Sequence, residues 1–289
     1  MTIEERCAEA KELYQTTLDP TVLQPAWLEA VDHSVSELRS LIGASENLTN
    51  IAAALRQSGS HMRALRHLLA PPLSQDQFKL ACPEWTKSTE KSGIAIKAEA
   101  AELIAGRVRE WLEPAHLSAI ADGKSFDLLG AAYLMARQEY ETKKRIKLAR
   151  RQEEEICAVL DELGFSKGES RFVNEPGSLE KNEYLLATKF ATADNSAHEV
   201  DVAVGLPGKM ILAIECKVSN DATNSIKRTN DVIKKSEAWR RQWGNFVITG
   251  ALIQGVFKPT EIVRMEGSDI VVFWSHALDE FRSWIKDRA

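Results

Sequence analysis

Residues 200–218, which read VDVAVGLPGKMILAIECKV, decide the fold of this chain. Val, Ile, Leu and Met dominate two runs, 200–204 and 210–218, and such runs favour β-strands. Between them, residues 206–209 (LPGK) hold the adjacent proline and glycine that are typical of a tight turn. The stretch therefore predicts a β-hairpin, from which the interpretation of the neighbouring segments starts.

Three charged residues interrupt the two apolar runs, 200–204 and 210–218. Asp201 lies within the first strand, and Glu215 and Lys217 lie near the end of the second. Side chains two residues apart on a strand share a face, so Glu215 and Lys217 point the same way, and the hairpin can bring Asp201 beside them. Charges that emerge from a buried strand are costly unless they are paired or bind a metal.

The residue types suit phosphate chemistry. Two carboxylates and a main-chain carbonyl, such as that of Cys216, offer Mg²⁺ the oxygen ligands that it prefers and leave positions for water and phosphate. The metal would neutralise charge on a reacting phosphate, and Lys217 would either orient the attacking water or stabilise the transition state. The same spacing also fits a surface ion pair on a hairpin, so spacing alone leaves both interpretations open.

The flanking segments predict further helices and strands. In chain order, the prediction is a helix over 152–163 ended by Gly164, the hairpin, an amphipathic helix over 225–243, strands over 246–252 and 270–274, and a helix over 277–286. This order, α-β-β-α-β-β-α, predicts a mixed sheet flanked by helices, of the α/β (α+β) class.

Residues 1–148 differ, because apolar residues recur there at helical spacing without strand-like alternation. Pro71-Pro72 followed by Ser74 predicts a helix end and a serine-capped restart. We expect two domains: a helical one over 1–148, which serves dimerisation or embraces DNA, and a catalytic one over 149–289.

Composition and charge narrow the function. The chain has 289 residues and a formal net charge of −5, which argues against a protein that coats nucleic acid but not against a local basic patch. No apolar run approaches the roughly 20 residues of a membrane span. The charged amino terminus lacks an apolar signal core, so we expect a cytoplasmic protein without a membrane partner. Its four widely spaced cysteines predict neither a zinc site nor a disulfide framework.

A local basic patch is present. Seven basic residues and three acidic ones lie between positions 217 and 243, in a chain that is negative overall. Phosphate affinity needs such a concentration of charge, although a solvated helix face has the same composition. The candidate DNA-binding residues are the loop residues Ser219, Asn220, Thr223 and Asn224, followed by Lys227, Arg228 and Lys234 on the helix. A second basic stretch, 143–151, fits either a solvated helix face or a contact with the DNA backbone.

The strand–strand–helix unit resembles the core of the PD-(D/E)xK nuclease superfamily. Within it, residues 214–220 (IECKVSN), 223–228 (TNSIKR) and 255–259 (GVFKP) resemble the XamI-type type II restriction endonucleases. The resemblance is best over about residues 150–287. It departs from the superfamily pattern at Val200, where the naming motif has proline; that proline carries no chemistry, so the match of Asp201, Glu215 and Lys217 stands.

The resemblance implies Mg²⁺-dependent cleavage of double-stranded DNA at a short palindrome by a homodimer, with a cognate DNA methyltransferase as genetic partner. It also implies a fourth acid from the helix before the sheet, for which we select Glu155 among 153–155. A solvated acidic turn favoured by the helix dipole is the alternative there. Another nuclease of this superfamily, for repair or junction resolution, and a non-catalytic DNA-binding module remain alternative functions.

Overall fold

A computed structural model describes residues 1–112, 128–193 and 196–289. The chain divides into two compact units, one formed by Met1–Asp19 with Lys144–Ala289 and the other by Pro20–Lys143. The prediction put all of residues 1–148 in the helical domain. In the structure, the first 19 residues belong instead to the unit that contains the sheet.

The described residues of the unit Pro20–Lys143 are mainly helical, as predicted for this part of the chain. Its apolar core includes Leu55, Leu65, Phe78 and Trp85, all of which are buried. Ser74 caps the helix that follows the two prolines and forms a capping box with Gln77, which confirms the predicted restart. The helices are α2 (Pro20–Ala44), α3 (Ile51–Gln57), α4 (His61–His67), α5 (Gln75–Ala81), α6 (Lys87–Ser92), α7 (Ala98–Val108) and the first part of α8 (Leu129–Glu162).

The other unit holds a seven-stranded mixed sheet. Its strands are β1 (Ser166–Lys167), β2 (Phe172–Val173), β3 (Glu183–Ala191), β4 (Ala197–Gly205), β5 (Ile211–Ser219), β6 (Val247–Gly255) and β7 (Ile270–Trp274). The order is β1-β3-β4-β5-β6-β7, and β2 also pairs with β3. Strands β3, β4 and β5 are antiparallel, whereas β5, β6 and β7 are parallel. The predicted hairpin is confirmed as β4 and β5.

Helices cover this sheet, as the sequence predicts: α1 (Ile3–Thr16), the end of α8, α9 (Ala222–Trp243), α10 (Pro259–Gly267) and α11 (Leu278–Lys286). Leu212 and Ile214 of β5 pack with α8 and α11 on one face, and Ile211 and Ala213 pack with Trp239 of α9 on the other. Trp239 is fully buried in this contact.

Several described elements depart from the prediction, including the short strands β1 and β2. Strand β3 was not predicted, because its polar residues interrupt the strand alternation. Helix α10 begins at Pro259, a residue that fits the first helical position but that otherwise signals a break. Helix α1 lies on the sheet unit because Cys7 and Ala10 pack with Ile253 of β6.

Within the three described ranges, no helix is both long and apolar enough to cross a bilayer.

Gly255, at the end of β6, is required by its backbone. Its φ is +89°, and an added Cβ would overlap the main-chain oxygen of Ser219 on the neighbouring strand. We expect Gly255→Ala to lower the free energy of unfolding by about 1–3 kcal/mol, because the left-handed backbone and the clash both oppose a side chain. Urea denaturation followed by circular dichroism measures this change.

Gly267→Ala is the matched control, because a Cβ there would meet no atom within 4 Å. Equal unfolding midpoints for the two variants would contradict the argument.

Candidate functional site

The site begins where the ladder between β4 and β5 ends. The last pair is Val202 with Ile214, although continued register would pair Asp201 with Glu215. Instead, the main-chain N–H of Cys216 donates to Oδ2 of Asp201 over 2.7 Å. The Asp201 carboxylate thus takes the place of a ladder acceptor and is held at the point where the two strands separate.

Glu215 is the most buried charge of the site, with no exposed surface. Its Oε2 accepts hydrogen bonds from Lys217 Nζ at 2.6 Å and from Lys235 Nζ at 2.7 Å. Its Oε1 is also buried, and it has no hydrogen-bond partner among the described residues. A buried carboxylate oxygen without a donor is costly, so this atom indicates a place for a ligand or a water molecule.

Lys217 connects the acidic groups. Its Nζ lies 2.6 Å from Glu215 Oε2, 3.9 Å from Asp201 Oδ2 and 3.2 Å from Asp231 Oδ2. Burial alone would lower the pKa of Lys217, but the charges of Glu215 and Asp201 outweigh burial and raise that pKa above its ordinary value. The structure therefore brings Asp201, Glu215 and Lys217 together, with the lysine held as an ammonium.

The pKa of Glu215 is also raised. Burial is the main cause and the charge of Asp201 adds to it, while Lys217 and Lys235 act in the opposite direction. Both Glu215 and Lys217 thus have raised pKa values, but for different reasons. For Lys217 the attraction of the carboxylates outweighs desolvation, whereas for the fully buried Glu215 desolvation outweighs the attraction of the lysines. A bound cation would favour the ionised form of Glu215.

The two candidate acids of α8, Glu155 and Glu153, have different surroundings. Glu155 forms an ion pair with Arg151 at 2.7 Å and is not gathered with the three. Glu153 is the residue that faces Asp201: burial first, and then the charge of Asp201, raises the pKa of Glu153. The buried stripe of α8 runs through Ile156, and the two glutamates flank it on opposite sides, so only Glu153 is on the side of the site.

The pKa of the Cys216 thiol supports the same arrangement. Burial raises this pKa well above its ordinary value, and the charges of Asp201 and Glu153 add to the effect. Asp201 on β4, Glu153 on α8 and Glu215 on the same strand therefore all act on Cys216, which makes the region around its main chain negative.

The start of α9 does not offer the free donors that the sequence suggested. Asp221 caps the helix, and its Oδ1 accepts the N–H groups of Thr223 and Asn224 at 2.8 Å each. The Asn224 side chain donates to Asn220 and Asp221, and buried Ser219 donates to the carbonyl of Asp221. The side-chain donors of Ser219 and Asn224 are thus used within the turn, and its capping carboxylate would repel a phosphate.

The basic residues further along α9 are more available. Lys227 and Lys234 are exposed and Arg228 is partly buried. In the part of the chain that the structure describes, no carboxylate lies within ion-pair distance of these three. Lys234 also lines a groove of about 400 Å³ together with His198 and Arg241.

The basic stretch 143–151 is divided in its contacts. Lys143 pairs with Glu139 at 2.8 Å, Lys144 lies over the Tyr14 ring, and Arg151 pairs with Glu155. Arg145, Lys147 and Arg150 are exposed. Both interpretations of this stretch, a solvated face and a DNA contact, therefore stay open.

The sequence did not single out Lys235 and Asp231 as site residues. Both are on α9, four positions apart, and both reach the hairpin: Lys235 contacts Glu215, and Asp231 contacts Lys217. The available signal was the helical spacing from Asp231 through Lys235 to buried Trp239, which puts all three on or beside the inner face.

The described residues contain no cluster of three or more His, Cys, Asp and Glu side chains arranged to hold a metal. The groups that could hold one are the carboxylates of Asp201 and Glu215 with the main-chain carbonyl of Cys216. In a strand, the N–H and C=O of one residue point to the same edge, so the carbonyl of Cys216 is on the Asp201 side.

Comparison with known proteins identifies relatives. The family model for the XamI restriction endonuclease matches residues 46–274. The type II restriction enzyme XamI of Xanthomonas campestris pv. amaranthicola is 30% identical over 190 residues, which are 63% of this chain and 67% of that enzyme.

Among solved structures, protein VC1899 from Vibrio cholerae aligns with 89% of this chain at 9% identity and a TM-score of 0.32. This chain covers 56% of that protein, and the likeness is too distant to bear on the fold.

The position of Glu153 can be tested by titration. We expect Asp201→Asn to lower the pKa of Glu153 toward its ordinary value, because it removes a neighbouring negative charge; the part due to burial should persist. NMR titration of protein carrying ¹³C-labelled glutamate measures the change. Glu155→Gln is the control and should leave the pKa of Glu153 in place; an unchanged pKa of Glu153 in Asp201→Asn would contradict the nearness of Glu153 to Asp201.

Proposed function

This chain belongs to the XamI restriction endonuclease family, and from that premise we propose that it is a type II restriction endonuclease that hydrolyses double-stranded DNA at a short palindromic site. In this proposal it uses Mg²⁺, acts in the cytoplasm as a homodimer, and has a cognate DNA methyltransferase as genetic partner. The observation that carries the proposal is buried Glu215, whose Oε1 has no partner within the described residues and which stands with Asp201 and Lys217 at the end of a strand ladder.

We assign the sheet and its helices to a PD-(D/E)xK core. Three features support this assignment. The acids lie on two adjacent antiparallel strands, a lysine follows Glu215 by two residues, and a helix before the sheet supplies a further acid, Glu153.

A divalent cation fits the residues present. Oε1 of Glu215 is buried without a donor in the described chain, and the three acids Asp201, Glu215 and Glu153 together disfavour further negative charge. Oxygen ligands of this kind suit Mg²⁺. Asp201, Glu215 and the carbonyl of Cys216 would hold the cation, with Glu153 as the fourth acid in place of Glu155. When bound, the cation would neutralise charge that develops on the scissile phosphate.

Lys217 supplies the cationic group of the chain itself. Its ammonium is held between Glu215 and Asp231, so it is positioned before the substrate arrives and needs little reorganisation during the reaction. In this proposal it orients the attacking water or stabilises the negative charge of the transition state. The raised pKa of Lys217 makes it unsuitable as a proton acceptor at neutral pH.

We propose that DNA is bound by three basic side chains of α9, of which two are exposed and one is partly buried. Lys227, Arg228 and Lys234 carry charge that no described carboxylate neutralises, which suits contacts with phosphates. The turn at residues 219–224 has a different role in this proposal: it fixes the start of α9, so that Asp231 and Lys235 reach the hairpin.

The first test of this function is digestion of several unmethylated DNAs with Mg²⁺. We expect discrete fragments from the wild type and a rate about 100- to 1000-fold lower from Lys217→Ala, because the preorganised ammonium is lost. Binding of the same DNA in Ca²⁺ should persist in the variant. Gel electrophoresis of the digests and a filter-binding assay measure the two effects.

Each alternative outcome has a distinct meaning. A smear instead of fragments would indicate a nuclease without site specificity, as a repair enzyme could be. No cutting with Mg²⁺ or Mn²⁺ on any substrate would contradict the proposed activity and favour a non-catalytic DNA-binding module.

The DNA surface is tested by salt dependence. We expect the double variant Lys227→Ala, Arg228→Ala to bind DNA more weakly and to reduce the slope of log K against log salt by about two, one for each lost phosphate contact. Fluorescence anisotropy in Ca²⁺ at several salt concentrations measures the slope. Lys286→Ala, an exposed lysine on α11, is the control; equal slopes for the double variant and the wild type would remove these residues from the surface.

A further inference from the structure

Lys235 is a second lysine of the hairpin site, and it comes from a different element than Lys217. Its side chain is 17% exposed, and its Nζ lies 2.7 Å from Glu215 Oε2. The same Nζ donates to the main-chain carbonyl of Glu199 over 2.8 Å. One ammonium therefore joins β5, through Glu215, to β4, through Glu199.

This bridge lies where the strands lose their own hydrogen bonds. The β4–β5 ladder ends at Val202 and Ile214, so the segments that carry Asp201 and Glu215 are not paired with each other beyond that point. Glu199 precedes Asp201 by two residues on β4 and is therefore farther from the end of the ladder at Val202. A donor that contacts both strands past the last pair can fix the separation of the two acids, which the ladder no longer fixes.

The two lysines contact the same oxygen of Glu215. Both donate to Oε2, and neither donates to Oε1. A carboxylate held through one oxygen by two donors has a defined orientation, and its other oxygen is presented to the site. Lys217 is surrounded by further partners, Asp201 and Asp231, whereas the second contact of Lys235 is a backbone carbonyl.

We propose that Lys235 is a positioning residue that holds Glu215 and the separated strands β4 and β5 in the arrangement that binds a divalent cation. This inference rests on the metal-dependent activity proposed above. In this role Lys235 gives Oε2 of the buried Glu215 a second donor besides Lys217. It acts through Glu215 and does not contact DNA.

The test measures cation binding directly, without DNA and without turnover. Mn²⁺ binding to the full-length protein is followed by isothermal titration calorimetry for the wild type and for Lys235→Met, which keeps the length of the side chain and removes its donor. We expect the affinity for Mn²⁺ to fall about 10- to 100-fold, the range typical of groups that orient a metal ligand. Lys235→Arg, which restores a cationic donor, should recover part of that loss.

Kinetics provide a second readout. In Mg²⁺ at saturating DNA, Lys235→Met should cleave about 10- to 100-fold more slowly, while its Kd for DNA in Ca²⁺ stays within about threefold of the wild type. Lys286→Met, an exposed lysine on α11, is the matched control. If circular dichroism shows that Lys235→Met is unfolded, Lys235→Gln is measured in its place, with the same expected direction.

The outcomes separate this inference from the function beneath it. If the wild type binds Mn²⁺ and cleaves DNA, and Lys235→Met binds Mn²⁺ as tightly or more tightly, the role of Lys235 alone is overturned. Such a result would mean that the positive charge of Lys235 only repels the cation. A wild type that neither binds Mn²⁺ nor cleaves DNA would overturn both the metal site and the role of Lys235.

Discussion

The hydrogen bond from the Cys216 main chain to Asp201 Oδ2 is the interaction on which the rest of the site depends. It forms because the β4–β5 ladder ends one pair earlier, and it replaces a backbone acceptor by a carboxylate. A carboxylate in that place lies beside the next side chain of β5, which is Glu215. Two acids on adjacent strands are thereby held close together by backbone geometry, before any metal or substrate takes part.

Such an arrangement is opposed by electrostatics. Glu215 is fully buried, and both burial and Asp201 raise its pKa, so the chain surrounds it with two lysines and still leaves one oxygen without a donor in the described structure. A site with this residual cost is less stable than an apolar core of the same shape. The cost is typical of functional sites, where a ligand supplies the missing interaction.

The sequence was sufficient for the hairpin because its signals are local. Apolar runs, a proline–glycine turn and strand alternation all act within 19 residues, and they bring Asp201, Glu215 and Lys217 together as predicted. The sequence does not contain what decides between Glu153 and Glu155, because both flank the buried stripe of α8 and the side that faces the site depends on how the helix is rotated on the sheet. Periodicity does not contain that rotation.

Contacts across the sheet were also beyond the sequence. Lys235 and Asp231 appeared only as part of a basic helix, because their role depends on how α9 crosses β5. The hydrogen bonds of the turn at 219–224 were also beyond the sequence: several of its donors are used around Asp221, and a list of hydrogen-bonding residue types does not show which donors are already used. Helix α1 was assigned to the helical half because its partner, β6, lies more than 200 residues away in the chain.

We propose that the separated strands β4 and β5 hold a divalent cation between Asp201 and Glu215. The most direct measurement is an anomalous difference map, at the manganese absorption edge, of crystals grown with Mn²⁺ and uncleaved DNA. We expect a peak within ligand distance of an Asp201 oxygen, Glu215 Oε1 and the carbonyl of Cys216. A map of ordered DNA and protein with no peak at these groups, or with the manganese bound elsewhere on the chain, would overturn this cation site.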